Sequence, residues 1–203
     1  MNVNIVDLVV VLMSVVIGIA ADRQYYLGLD KPGHQPPNRW SWLIWSFSAF
    51  VEVATFKGIS DDWLKVLPLA TTPIACVVIL SKVWKMKEDR WDGALDKTID
   101  IVSVILSFAA IFIWLYFKEE LWAHVMMICA VPISYIPQWR ETLKVHSHSS
   151  VDKLPWMLWT IMDTLNLILN LHRINDIAEI PYVVVELICH ASVWFLISFR
   201  RSA

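Results

Sequence analysis

Trp156-Met157-Leu158-Trp159-Thr160-Ile161-Met162-Asp163-Thr164-Leu165-Asn166-Leu167-Ile168-Leu169-Asn170 is an apolar stretch that carries one carboxyl and two carboxamides. Trp156, Trp159, Asp163, Asn166 and Asn170 recur at spacings of 3, 4, 3 and 4, so on a helix they share one face. That face cannot point at lipid. A central Asp costs about 2.5–3.5 kcal/mol on insertion scales, and ionisable residues of spanning helices face the bundle interior or a wet cavity. The pattern has an echo 114 residues earlier, where Trp42, Trp45 and Glu52 match Trp156, Trp159 and Asn166, and Gln24 matches Gln138. Ala49 and Phe56 stand at the positions of Asp163 and Asn170. The chain reads as one membrane unit written twice, with polar and aromatic groups where the halves face each other. Transporters place substrate sites near the midplane between such repeats.

Composition agrees. Of 203 residues 57% are hydrophobic and 18% charged, with a mean hydropathy of +0.54; soluble domains average about 45–50% apolar and about 25% charged. The net charge of −2 offers no basic surface for nucleic acid. Cys76, Cys129 and Cys189 all lie in apolar stretches and read as small core residues rather than a disulfide framework. The first apolar block has small residues at Gly18-Ile19-Ala20 but no Lys or Arg in Met1 to Asn4, so it reads as a retained helix rather than a signal peptide.

Seven stretches have helix length: 4–21, 40–57, 63–83, 98–117, 121–138, 154–171 and 178–199. Their apolar runs are continuous rather than alternating, which excludes a barrel. The expected fold is therefore an all-α integral membrane protein with seven transmembrane helices. The 114-residue offset maps helices 1–3 onto helices 5–7 and leaves helix 4 over. An odd linker helix restores the orientation of the second unit, giving two parallel three-helix bundles in a 3+1+3 order. The expected units are 1–84, a cytoplasmic loop and linker helix over 85–120, and 121–203. The charge run Lys85-Met86-Lys87-Glu88-Asp89-Arg90 reads as a solvated connection.

Further candidates lie outside the stripe. Glu186 and His190 are four apart on one face of the last helix, with Thr72 and Cys76 at the equivalent positions of the third. They suit a buried pair, a proton relay or two metal ligands, but no well-spaced third ligand accompanies them, so no metal or other cofactor is expected. His146 and His148 read as a solvated loop. Asn166 and Asn170 also suit plain interhelical hydrogen bonds, worth ~0.6 kcal/mol each. Trp42 and Trp156, near the cytoplasmic ends of their helices, suit an aromatic belt. Trp45 and Trp159 lie a turn deeper and are the better candidates for touching a substrate. Pro132 and Pro137 interrupt the fifth helix, and Pro68 and Pro73 the third. Such prolines free backbone carbonyls and offer bends. Pro181 reads as a helix-start proline.

Tyr135-Ile136-Pro137-Gln138, then Lys144, then Ser150-Val151-Asp152-Lys153-Leu154-Pro155 resembles the Pro-Gln loop of the SWEET and PQ-loop transporters. The 3+1+3 layout with an external N-terminus is also theirs. The Trp-x-x-Trp pairs that begin helices 2 and 6, with Tyr182 to Trp194 in helix 7, are similar to the PnuC vitamin transporters, which share this architecture. The layout covers nearly the whole chain and the motifs mainly 132–171. Arg23-Gln24 stands where a symmetric Pro-Gln would be. Asn166 falls one residue from the SWEET substrate-binding asparagine, and Asp163 where PnuC has an Asn. The resemblance implies a small polar substrate, such as a sugar or nucleoside-type vitamin, held between helices 2, 3, 6 and 7.

The expected function is a carrier that moves a small polar metabolite by alternating access, facilitative or proton-linked, with no catalytic residues. Its expected substrate contacts are Trp45, Glu52, Thr72, Trp159, Asp163, Asn166, Asn170, Glu186 and His190, with Pro132, Pro137 and Gln138 as hinge. The alternatives are a membrane-embedded sensor or assembly protein without transport, and an intramembrane enzyme using Glu186, His190 and Asp163. The expected partners are the substrate, a proton, the lipid bilayer and a further copy of the chain, in a bacterial inner membrane. On the side of the N-terminus lie Lys57, Lys65, Lys118 and Arg173. On the other lie Arg23, Lys31, Arg39, Lys82, Lys85, Lys87, Arg90, Lys97, Arg140, Lys144, Lys153, Arg200 and Arg201. The positive-inside rule then puts the N-terminus outside and Ala203 in the cytoplasm. Reporter fusions at the two ends should read on opposite sides; both on one side overturns the seven-span order.

Overall fold

The computed structural model describes residues 4–31, 39–86, 94–144 and 152–200. All regular structure among them is helical. The helices are α1 (Ile5–Gly28), α2 (Arg39–Ile59), α3 (Trp63–Val83), α4 (Ala94–Phe112), α5 (Glu120–Lys144), α6 (Lys153–His172) and α7 (Ile180–Arg200). A π turn, Ile113–Phe117, extends α4, and a 3-10 turn, Ile177–Glu179, leads into α7. Three starts are set by side chains that accept backbone N–H groups: Asn4 from Val6, Asp62 from Leu64 and Asp152 from Leu154, each at 3.1 Å. Lys118, with φ 57°, takes the left-handed conformation that turns the chain from the π turn toward α5.

Among the described residues, five segments are long and apolar enough to cross a membrane: Ile5–Gly28, Trp63–Val83, Lys97–Phe117, Leu121–Arg140 and Ile177–Phe199. The molecule is apolar outside and carries charged and polar groups within its apolar core. Ile5, Val9, Leu12, Val16 and Ile19 on α1, and Ile101, Ile105, Phe108 and Phe112 on α4, are exposed, while Asp7, Glu52, Asp62, Asp163, Asn166 and Glu179 are buried. Exposed apolar surface of this extent needs a nonaqueous covering, which makes the fold compatible with an integral membrane protein.

Some boundaries differ from the sequence expectation. α1 continues past 21 to Gly28, and α5 past 138 to Lys144. The polar residues there end the hydropathy signal but not the backbone hydrogen bonding. Pro68 and Pro73 lie inside an unbroken α3, and Pro132 and Pro137 inside an unbroken α5, so these prolines do not interrupt their helices. Pro181 is the second residue of α7, as a helix-start proline should be. His146, His148 and most of the 85–97 charge run lie outside the described residues.

Packing runs around a ring. α1 lies against α6 and α3, α3 against α2, α2 against α5, α5 against α7, and α7 against α6; α4 rests on α5 and α2. α1 and α6 are antiparallel, since Asp7 meets His172, Ser14 meets Asn166, Asp22 meets Trp159 and Lys31 meets Asp152. α2 and α5 are antiparallel too, with Phe56 beside His124 and Trp45 beside Ser134.

The α1 seam is regular: Asp7, Val11, Ser14, Gly18, Ala21, Tyr25 and Gly28 are buried at alternating spacings of 4 and 3. At Gly18 an added Cβ would sit 2.7 Å from Met162 Sδ, so α6 comes closest where α1 lacks a side chain. Gly18→Ala needs only a shift of the flexible Met162 thioether and gains about 1 kcal/mol of helix propensity, so it should melt close to the wild type. Gly18→Leu cannot be accommodated that way; a loss of about 1–3 kcal/mol is expected from overpacking, read as a lowered melting temperature of the purified protein. An unchanged melt in Gly18→Leu contradicts the close α1–α6 approach.

Candidate functional site

The ring encloses a cavity. Asp22 of α1, Trp42, Trp45, Ser48, Ala49 and Glu52 of α2, and Thr72 and Cys76 of α3 form one side. Val131 and Tyr135 of α5, Trp156, Trp159 and Met162 of α6, and Tyr182, Glu186 and His190 of α7 form the other. The cavity measures about 80 Å³, room for more than one water.

The walls are aromatic and nearly matched in the two halves. Trp42 and Trp45 meet edge to face with centroids 5.0 Å apart at 77°. Trp156 and Trp159, at the equivalent positions, do so at 5.1 Å and 75°. The deeper indole of each pair donates across the helix crossing: Trp45 Nε1 to Ser134 Oγ at 2.7 Å, Trp159 Nε1 to Asp22 Oδ1 at 3.0 Å. Tyr25 bridges the pairs, 5.0 Å from Trp42 and 5.5 Å from Trp159. Trp42 and Trp156 are 3% and 1% exposed. A membrane-belt tryptophan presents its ring to the interface, so the belt reading of these two is overturned.

The polar groups are unevenly placed. His190 Nδ1 lies 2.6 Å from Asp163 Oδ2, and His190 Nε2 lies 2.7 Å from the Tyr135 hydroxyl, forming a chain of three titratable groups. Tyr182 donates to Glu186 Oε1 at 2.8 Å. The close partner of His190 is thus Asp163 on the neighbouring helix rather than Glu186 one turn back. The buried Nε1 atoms of Trp42 and Trp156, and Glu52 Oε1, have no hydrogen-bond partner among the described residues. Such groups are costly unless something meets them.

Of the sequence-derived contacts, Trp45, Glu52, Thr72, Trp159, Glu186 and His190 line the cavity. Asp163, Asn166 and Asn170 do not. Asp163 reaches the cavity only through His190. Asn166 accepts from Ser14 on α1, and Asn170 donates to the Asn166 carbonyl at 2.8 Å. Asn166 thus faces α1. Pro132 and Gln138 stand apart from the lining; the Gln138 side chain lies 3.4 Å from Thr142 Oγ1, and the Pro137 side chain lies outside the described residues. Sequence reasoning missed Asp22, Tyr135 and Tyr182. Asp22 lay just beyond the first span as read from hydropathy, yet it stands next to Ala21 in the α1 seam, and that period was the signal. Among the described residues no group of three His, Cys, Asp or Glu side chains could hold a metal ion.

Ion pairs close the end of the bundle that holds the start of α1. Arg173 donates to Asp62 at 2.6 Å and to Asp7 at 2.5 Å, and His172 meets Asp7 at 2.8 Å. Lys65 pairs with Glu179, both fully buried, and these two positions are also 114 apart. Phe56, His124 and Tyr182 lie in contact nearby. Comparison with known families, curated proteins and solved structures finds no match.

Removing one partner of a buried pair leaves an uncompensated charge, at about 3–5 kcal/mol. Lys65→Glu and Glu179→Lys should each lower the melting temperature sharply, and the double reversal should recover most of the loss. Additive damage in the double variant refutes the pairing.

Proposed function

We propose that the protein is a membrane carrier that moves a small polar metabolite by alternating access, with seven spans in a 3+1+3 order. One observation carries the reading: six helices converge on a cavity whose walls are two Trp–Trp pairs in near-identical geometry at the 114-residue offset. A duplicated wall around a polar cavity is what a site between two repeats requires. The packing supports the order. α3 lies between α1 and α2, α7 lies between α5 and α6, and the crossings α1–α6 and α2–α5 are equivalent under the offset. Lys65 and Glu179, equivalent positions in contact, suit a place on the axis relating the halves. The Pro-Gln loop resemblance adds to this, and on the same reading the units are 1–84, 85–120 and 121–203.

The buried pairs Arg173–Asp7, Arg173–Asp62 and Lys65–Glu179 serve as a gate on the side of the N-terminus, read as external. Pro132, Pro137 and Gln138, in the half of α5 toward the opposite end, serve as the hinge. The Asp163–His190–Tyr135 chain offers a route by which a proton reaches the cavity wall, and Asp163 acts through His190 rather than by touching substrate.

The test is a thermal-shift screen of purified protein against sugars, nucleosides, vitamins, amino acids and amines, since a ligand that binds the native state raises its stability. Counterflow of the labelled hit follows in proteoliposomes. Exchange is expected, with at least about a tenfold weaker affinity in Trp159→Ala from lost aromatic contact. A hit that binds but never exchanges overturns the carrier. Asp163→Asn keeps size but cannot titrate. If transport is proton-linked, this variant should retain exchange and lose accumulation driven by a pH gradient; wild-type uptake that ignores the gradient identifies a uniporter.

A further inference from the structure

We infer that the cavity takes a small organic cation carrying a hydrogen-bond acceptor, of which a hydroxyalkyl quaternary ammonium compound is the simplest member. This rests on the carrier reading for the ligand's movement, though not for its binding.

Charge is the first argument. Asp22, Glu52 and Glu186 line the cavity. Among the described lining residues His190 is the only basic side chain, and it is already held by Asp163 at 2.6 Å and Tyr135 at 2.7 Å. Asp22 receives the Trp159 indole N–H and Glu186 the Tyr182 hydroxyl, both neutral donors. Glu52 is 2% exposed; it shares the Tyr182 hydroxyl with Glu186, and its Oε1 has no partner. A carboxyl placed this way either keeps its proton or takes a positive group as partner. A cationic ligand supplies that group.

The walls fit the same ligand. Trp42, Trp45, Trp156 and Trp159 present two indole corners, and Tyr135 lies 5.1 Å from Trp45. Aromatic faces within about 6 Å attract an ammonium centre, and cages of such rings recognise quaternary ammonium ions. The unpartnered donors call for something more. Trp42 Nε1 and Trp156 Nε1, buried and repeat-equivalent, need an acceptor atom that a bare tetraalkylammonium lacks. Size sets the last limit. A cavity of about 80 Å³ suits a compact ligand.

The probes are choline, its neutral carbon isostere (a quaternary carbon in place of the nitrogen) and glucose, titrated into the purified full chain with indole fluorescence or calorimetry as readout. Choline should bind at least about tenfold more tightly than the isostere, and glucose should not bind. Glu52→Gln should shrink the gap between choline and isostere to about threefold or less. Should Glu52→Gln not fold, Asp22→Asn takes its place, and the wild-type comparison decides by itself. The inference falls if choline does not bind, if the isostere or glucose binds as well as choline, or if folded Glu52→Gln keeps the full gap. Counterflow separates the two readings. Choline bound but not exchanged leaves the ligand class standing and removes the carrier; glucose bound and exchanged keeps the carrier and removes the cation.

Discussion

A carboxylate with no water beside it must find a partner inside the protein, and the bundle is arranged around that requirement. Asp163 is fully buried in α6, and its partner His190 comes from α7. Asp7 and Asp62 are buried at one end of the bundle, and Arg173, just past α6, joins both. Each of these contacts ties one helix to another, so desolvating the charges also fixes which helices are neighbours. Apolar packing alone could not do this in lipid, because hydrocarbon tails solvate Leu and Ile as well as a neighbouring helix does. The charged pairs close one end of the bundle, and the aromatic residues wall its middle, where Trp42 Nε1, Trp156 Nε1 and Glu52 Oε1 remain without partners.

The α1–α6 crossing shows how local sequence sets this up. A 4–3 seam of mostly small or polar residues lets α1 lie close along α6, with Gly18 against Met162 and Ser14 against Asn166. That closeness brings Asp22 within reach of Trp159 and fixes the indole that walls the cavity. The equivalent crossing of α2 with α5 reaches the same result with a shorter partner, Ser134 for Trp45. Two different polar residues thus hold two near-identical indole corners.

Much of this was legible in the chain. α3 runs over the residues its hydropathy gave, because the apolar block and the Asp62 cap coincide. The ends of α1 and α5 were not legible, because hydropathy fades at Asp22-Arg23-Gln24 and after Gln138 while a helix needs only its backbone bonds there. Spacing placed Glu186 and His190 on one face but could not name a partner on another helix, and Asp163 occupies that place. The stripe on α6 was read as a single face toward substrate. Helix packing divides it instead, Trp156 and Trp159 to the cavity, Asn166 to Ser14 of α1. The Lys65–Glu179 pair was not legible, because equivalent positions of a repeat touch only where they lie on the axis relating the halves, and the sequence does not place that axis.

On the proposed repeat, the walls match across the 114-residue offset and the polar groups do not. Trp42 and Trp45 retain the geometry of Trp156 and Trp159, yet Glu52 answers to Asn166, Ala49 to Asp163, Cys76 to His190 and Ile136 to Asp22. The paired walls fix the cross-section of the cavity, which both halves must share if each is to move against the other. The unpaired carboxylates break that symmetry. Glu52 sits on the α2 wall, Glu186 on the α7 wall, and Asp22 at the crossing held by Trp159. On the proposed reading, a ligand in such a cavity would have one orientation rather than two, with its charged end set by carboxyls that have no counterpart at the 114-residue offset. Shape would then belong to the matched residues and selectivity to the divergent ones.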